Sequence, residues 1–307
     1  MTRPRLAVIG AGYWGKNIIR AIKTYEIADI ECVHDIDMQR LKEISSLYSS
    51  VKLCFEIDQI LRVKNIDGVI IAVNIDKLYN VSKIVLENGF NVFIEKPVAE
   101  SLDKVSELKS LAESKNIIAV PGFILRFDPV AKFFKRLITQ ENLHPLYIMM
   151  QRSGRRAPRY RGNSIILDLG IHDIDLLNYL FNRNVRVIDA LITRLGDDES
   201  YNIYLDCGNC VAHLTADPIP NIKIRRIYVN FEEEVSYEGD FVSSEIHKID
   251  SKGVKEIFSV REEIEPLGLE LKAFVDKISG KDVETPSLED AVYAHMIIKE
   301  IFFRSRR

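Results

Sequence analysis

Apolar residues in the first third of the chain fall into short runs separated by stretches of helical period. Leu6–Gly10, Ile30–His34, Val69–Val73, Asn91–Ile94 and Ile117–Val120 are predicted as strands. Between them the pattern predicts helices from the glycines after Ile9 to about Tyr25, over Met38–Ser50 and over Leu78–Asn88, which Gly89 closes. A further helix is predicted over Leu102–Lys115, with Ser101 at its N-cap. Strands apolar on both faces and alternating with helices predict a parallel sheet with crossover connections.

The pattern changes after Pro121-Gly122, which sets the expected boundary between a domain over 1–122 and another over 123–307. The second part opens with a predicted helix over Pro129–Thr139 and a strand over Tyr147–Gln151. A basic, irregular stretch, Arg152–Gly162, precedes a strongly apolar helix over about Ile165–Phe181. Val185 to about Val260 then reads as consecutive strands, and two helices follow over Leu267–Ile278 and Leu288–Phe303. Helices followed by a run of strands predict an α+β domain on a mostly antiparallel open sheet.

Composition narrows the classes. At 307 residues the chain exceeds one typical domain of about 100–200 residues. A formal charge of -3 gives no overall basic field, which argues against nucleic acid as the main partner. No apolar run approaches the ~18 residues of a membrane span, and the first residues do not read as a signal peptide. Cys32, Cys54, Cys207 and Cys210 are too few for a disulfide scaffold of this size. A cytoplasmic globular protein is expected.

Gly10-Ala-Gly12-Tyr-Trp-Gly15 is a G-x-G-x-x-G that follows a strand and opens a helix. Its first glycine permits the tight turn, and its second lets backbone amides approach a pyrophosphate. The third allows close packing of helix on strand. Asp35 ends the second strand 20 residues after Gly15, where a carboxylate grips the ribose hydroxyls of NAD. Ile36 and Asp37 follow it, so a 2′-phosphate would meet repulsion, and NAD is expected over NADP.

Two further signals concern chemistry. Glu95-Lys96-Pro97 stands at the carboxyl end of a predicted strand, where open α/β sheets bind ligands. Asp168, His172 and Asp175 are spaced to share one face of a helix whose other positions are almost all aliphatic. A polar stripe on a buried helix is costly unless its members pair or serve a site. Three readings fit it: acid/base chemistry with substrate binding, satisfied core polar groups, or a zinc site. The first is preferred because histidine titrates near the pH at which proton transfer operates. No metal is expected.

These motifs, together with Gly122-Phe-Ile-Leu-Arg126-Phe-Asp-Pro129 and Pro266-Leu-x-x-Glu270-Leu-x-x-Phe274, resemble the Gfo/Idh/MocA family of sugar and polyol dehydrogenases along the whole chain. The resemblance implies a Rossmann domain followed by an α+β domain whose open sheet mediates dimer or tetramer contacts. It implies hydride transfer between a sugar carbinol carbon and nicotinamide. Lys96 would bond the reacting hydroxyl and the cofactor edge, His172 would act as acid/base, and Asp168 would orient substrate and histidine. Asp175 would touch a sugar hydroxyl, with Arg126 beside nicotinamide and substrate. The cofactor contacts implied are Gly10, Gly12, Tyr13, Trp14, Gly15, Asp35, Val73, Asn74, Glu95, Lys96 and Arg126. The chain departs from many relatives at Val73-Asn74, where they carry Thr-Pro, and at Leu78, where they carry histidine. It also has Gly162-Asn163-Ser164 in place of a glycine run before Asp168.

The Gly-Tyr-Trp-Gly-Lys-Asn wording around Trp14 is similar to members acting on nucleotide sugars such as UDP-N-acetylhexosamines. The basic stretch, a solvated face in one reading, would then offer Arg155 and Arg156 to a diphosphate. Cys207-Gly-Asn-Cys210, with His213 nearby, is read as a hairpin turn before a metal or redox site. Besides a dehydrogenase, an NAD-binding sensor and a lyase or glycosidase with internally recycled NAD share this fold and motif set.

Overall fold

The computed structural model describes residues 3–157, 163–218 and 221–305. They form two compact units, one of residues up to 124 with 264–292, the other of 125–263 with 293 onward.

The first unit holds β1 (Arg5–Ile9), β2 (Asp29–His34), β3 (Lys52–Cys54), β4 (Gly68–Ile71), β5 (Val92–Glu95) and β6 (Ala119–Gly122). All neighbours pair in parallel, in the order β3-β2-β1-β4-β5-β6. This is the Rossmann order, and it places the sheet's switch point between β1 and β4. The crossovers carry α1 (Tyr13–Thr24), α2 (Met38–Leu47), α3 (Ile57–Leu61), α4 (Ile75–Glu87) and α5 (Leu102–Ser114). The expected strands and helices are present with end shifts of a few residues. Only β3 and α3 escaped the hydrophobic pattern, because segments of three and five residues are too short to establish a period.

The expected boundary at 122/123 needs a correction. Helix α8 (Pro266–Ile278) belongs to the first unit, and Leu267, Leu271, Phe274 and Val275 share its core with Leu6, Val8, Ile18 and Phe93. A Cβ on Gly68 would stand 2.9 Å from the Phe274 ring, so a glycine in β4 is what lets α8 lie this close. An apolar helical stripe predicts that a face is buried, but it does not say which core receives it.

The second unit holds β7 (Pro145–Ser153), β8 (Arg186–Leu195), β9 (Asp198–Asp206), β10 (Val211–Asp217), β11 (Ile224–Phe231), β12 (Ser236–Asp240), β13 (Glu245–Asp250) and β14 (Gly253–Ser259), in the order β14-β13-β12-β11-β7-β10-β9-β8. Pairing is antiparallel throughout except between β7 and β10. One face of β9 (Asp198–Asp206) and β10 (Val211–Asp217) is buried at alternate residues, as a sheet covered on one side requires. The β9–β10 connection is the expected hairpin turn, with Gly208 at φ +86° and the Cys207 amide donating to the Cys210 carbonyl at 2.8 Å. Helix α6 spans Pro129–Thr139 as predicted, α7 covers Ile171–Leu180, and α9 runs Leu288–Arg304.

Phe274 is fully buried, with its ring centroid 5.9 Å from that of Phe93. Phe274→Ala should therefore cost about 3–5 kcal/mol. Native-state hydrogen exchange should localise the loss to β4 and β5; unchanged protection there would show that α8 stabilises the first unit little.

Candidate active site

The glycine-rich turn in the first unit has the form its spacing implies. Gly10 has φ +103°, and a Cβ there would meet the Ala72 carbonyl oxygen at 2.3 Å. A Cβ on Gly15 would lie 1.9 Å from the Gly10 oxygen, so this glycine seats α1 against β1. Gly12 differs, since the nearest atom to a Cβ there is Arg40 Nη1 at 3.9 Å. Gly12 is also the N-cap of α1 and makes no side-chain cap. The amides of the first turn thus face space that no side chain of the cap closes, which fits a bound diphosphate.

Asp35 is buried and completes this turn. Its Oδ2 accepts from the Ala11 amide at 2.7 Å, and its Oδ1 accepts from the Asp37 amide at 2.8 Å. A carboxylate anchored by two backbone donors retains acceptor capacity for ribose hydroxyls. Arg40 reaches Asp35 at 3.5 Å and Asp37 at 3.3 Å. The sequence reading, which weighed only the residues next to Asp35, missed this arginine. Tyr13 and Asn74 are exposed and Val73 is half-buried.

At the end of β5, Lys96 is half-buried and joined to Pro97 by a cis peptide. Glu95 points into the unit, where it accepts a hydrogen bond from the Trp14 indole. A Cβ on Gly122 would stand 3.2 Å from the Glu95 carboxyl, so the missing side chain there makes room for it. Burial pushes the Glu95 carboxyl up to about 7, against the opposing pull of the Trp14 indole and of Lys96.

In the second unit the predicted helix is not uniform. Ile166–Gly170 forms a π turn, and regular α-helix begins at Ile171. Such turns are rare and cluster at functional sites. Asp168 lies in the π turn, while His172 and Asp175 are on α7. Three arginines meet the acids of this segment. Arg126 is bidentate to Asp175, with Nε to Oδ2 at 2.9 Å and Nη2 to Oδ1 at 2.7 Å. Arg152 is bidentate to Asp173, which also accepts from the Tyr201 hydroxyl at 3.2 Å. Arg156 donates to Asp168 Oδ2 from Nε at 3.2 Å and from Nη2 at 3.0 Å.

Asp175 has 1% of its side chain exposed and accepts from Arg126 at both oxygens, so it anchors that guanidinium. The basic stretch is not a simple solvated face, because Arg152 and Arg156 are buried in ion pairs while Arg155 is exposed. Its residues 158–162 lie outside the described residues. Sequence reasoning also missed Asp173 and Tyr201. The available signal was a third acid inside the apolar segment, which demands a cation of its own.

Residues 4–123 match the model of the Gfo/Idh/MocA oxidoreductase family, described as an NAD-binding Rossmann fold. The matched segment holds the whole parallel sheet of the first unit, β1 to β6. Among curated relatives the chain is 25% identical over 251 residues to the UDP-N-acetylglucosamine 3-dehydrogenase of Acidithiobacillus ferrooxidans, which covers 80% of this chain and 77% of that one. It is 28% identical over 194 residues to the inositol 2-dehydrogenase/D-chiro-inositol 3-dehydrogenase of Shouchella clausii, covering 60% and 56% of the two. The chain spans little more than half the length of several such relatives. An oxidoreductase from Agrobacterium radiobacter, solved with NAD+, L-tartaric acid and magnesium, shares the fold at TM-score 0.88 and 16% identity, over 100% and 97% of the chains. The glycine turn and Asp35 fit the NAD that the family's Rossmann domain binds. Among the described residues no helix is long and apolar enough to cross a membrane.

Glu95 is protonated more readily in the fold than in the unfolded chain, so it penalises stability increasingly as pH rises from about 4.5 to about 7. Trp14 is the one tryptophan of the chain. Its fluorescence should therefore titrate with a midpoint near 7, and Glu95→Gln should abolish that transition. A titration that survives the substitution would assign it to another group.

Proposed function

We propose that the protein is an NAD-dependent dehydrogenase that oxidises a secondary hydroxyl of a sugar or nucleotide sugar, or runs that reaction in reverse. The observation that carries this reading is that Asp168 and His172 stand in a π-to-α segment whose acids are each held by an arginine. Polar groups kept at this cost inside an apolar segment serve chemistry more readily than packing.

Bound NAD supplies the hydride acceptor. The residues of the chain supply the rest. His172 takes the hydroxyl proton as the carbinol carbon is oxidised and returns it in reduction. The Lys96 ammonium bonds the same oxygen and stabilises the charge that develops on it. Asp168 orients the substrate hydroxyl and the imidazole. Arg126, fixed by Asp175, presents its guanidinium to substrate and nicotinamide, and exposed Arg155 is available to an anionic substrate group. We assign Gly10, Gly12 and Gly15 to the diphosphate, and Asp35 to the adenosine ribose. The nucleotide-sugar branch is supported by the longer match to the UDP-N-acetylglucosamine enzyme than to the inositol enzyme.

We further propose a cytoplasmic homodimer or homotetramer. Leu191, Tyr204 and Val211 line the same outer sheet face and are 59%, 42% and 40% exposed. An apolar patch on a sheet face is a feature of self-association.

The test is NADH absorbance with purified protein, NAD and three probes: UDP-N-acetylglucosamine, glucose and myo-inositol. NADH should accumulate with one of them, and His172→Ala should lower kcat by about 10²–10⁴-fold. Silence with all three, despite NAD binding by calorimetry, would favour internal cofactor recycling or a sensor.

A further inference from the structure

Arg156 is built unlike a substrate-binding arginine. Its side chain is 3% exposed, and its nitrogens are directed at protein acceptors. Nε and Nη2 hold Asp168 Oδ2, while Nη1 turns to Asp198 Oδ1 and to the Asn163 carbonyl at 3.2 Å. One buried guanidinium therefore bridges two carboxylates, each 14% exposed. Arg152 and Arg225 add longer-range attraction on Asp168.

Asp198 is in turn fixed. It is the first residue of β9, and its Oδ1 accepts from the Glu199 amide at 3.0 Å. The next side chain, Glu199, accepts from the Ile165 amide at 3.0 Å, where the turn that carries Asp168 begins. The head of one strand thus grips both the arginine and the start of the π turn. Asp168 sits in a π turn, a local departure from the α-helical hydrogen-bond pattern. Two N–H groups of Arg156 converge on one oxygen of the Asp168 carboxylate, so the guanidinium constrains the direction of that side chain.

We propose that Arg156, anchored by Asp198, is a positioning residue that aims the Asp168 carboxylate for the reaction. This rests on the reading of Asp168 as a catalytic residue. It replaces the expectation that Arg156 meets a substrate diphosphate. Lysine cannot span two carboxylates with a planar fork, so Arg156→Lys keeps the charge and loses the geometry.

The experiment is a double-substitution cycle on the full chain with R156K, D168N and the pair, assayed with whichever of the three probes above wild type turns over fastest. R156K should lower kcat by about 10²-fold with little change in KM, as misplacement of a catalytic group does. In the D168N background the same change should cost almost nothing, because Arg156 acts through that carboxylate. D198N, which leaves the arginine and Asp168 in place, should move kcat in the same direction and supplies a reading if R156K does not fold. A raised KM with intact kcat in R156K would make Arg156 a substrate contact and overturn the proposal. An equal loss of kcat with and without Asp168 would overturn it as a general structural effect. D168N with wild-type kcat would instead refute the reading of the site on which the proposal rests.

Discussion

Ionised carboxylates inside an apolar segment are tolerated only where cations meet them, and the second unit is organised around that demand. Asp168, Asp173 and Asp175 lie within eight residues of one another among isoleucines and leucines. Each is met by an arginine from outside the segment: Arg156, Arg152 and Arg126. Removing one partner of such a pair leaves a buried charge and costs about 3–5 kcal/mol. The pairs therefore hold the segment in one orientation against the sheet. His172 sits among them on a framework that cannot easily rotate.

The first unit meets a different constraint, the approach of backbone to ligand. Gly10 and Gly15 have no room for a side chain, whereas Gly12 has room and lacks one. The first two pack strand, turn and helix together, and the open position above Gly12 is left to the cofactor. Asp35 ties the end of β2 to the same turn through the Ala11 amide, so the ribose-gripping carboxylate and the diphosphate loop form one rigid piece. Glu95 and Trp14 link the opposite side of the helix start to the strand that ends just before Lys96.

Much of this was legible without coordinates. The alternation of short aliphatic runs with helical stretches located the parallel sheet. G-x-G-x-x-G with Asp35 at the right distance located the cofactor turn, because Gly10 and Gly15 answer local steric needs and Gly12 leaves the helix start open. The acids and histidine at 168–175 announced themselves as an anomaly in an apolar helix. The β9–β10 turn was readable from Gly208-Asn209 between apolar alternations. Less was legible where the local signal is short or ambiguous. The strand β3 and helix α3 are too brief to show a period, and the π turn leaves no trace in residue spacing.

The sequence by itself determined the element types, the Rossmann order of chemistry-bearing motifs, and the fact that the 168–175 acids need partners. These follow from local sterics, period and the cost of burying charge, which act over a few residues. Only the tertiary structure decided which arginine meets which acid, that Arg156 is shared between Asp168 and Asp198, that Arg40 stands beside Asp35, and that α8 completes the first core. Each of those is a choice among chemically equivalent candidates at several points along the chain. An arginine or an apolar stripe carries no mark of its partner, and only the path of the folded backbone brings one candidate within reach.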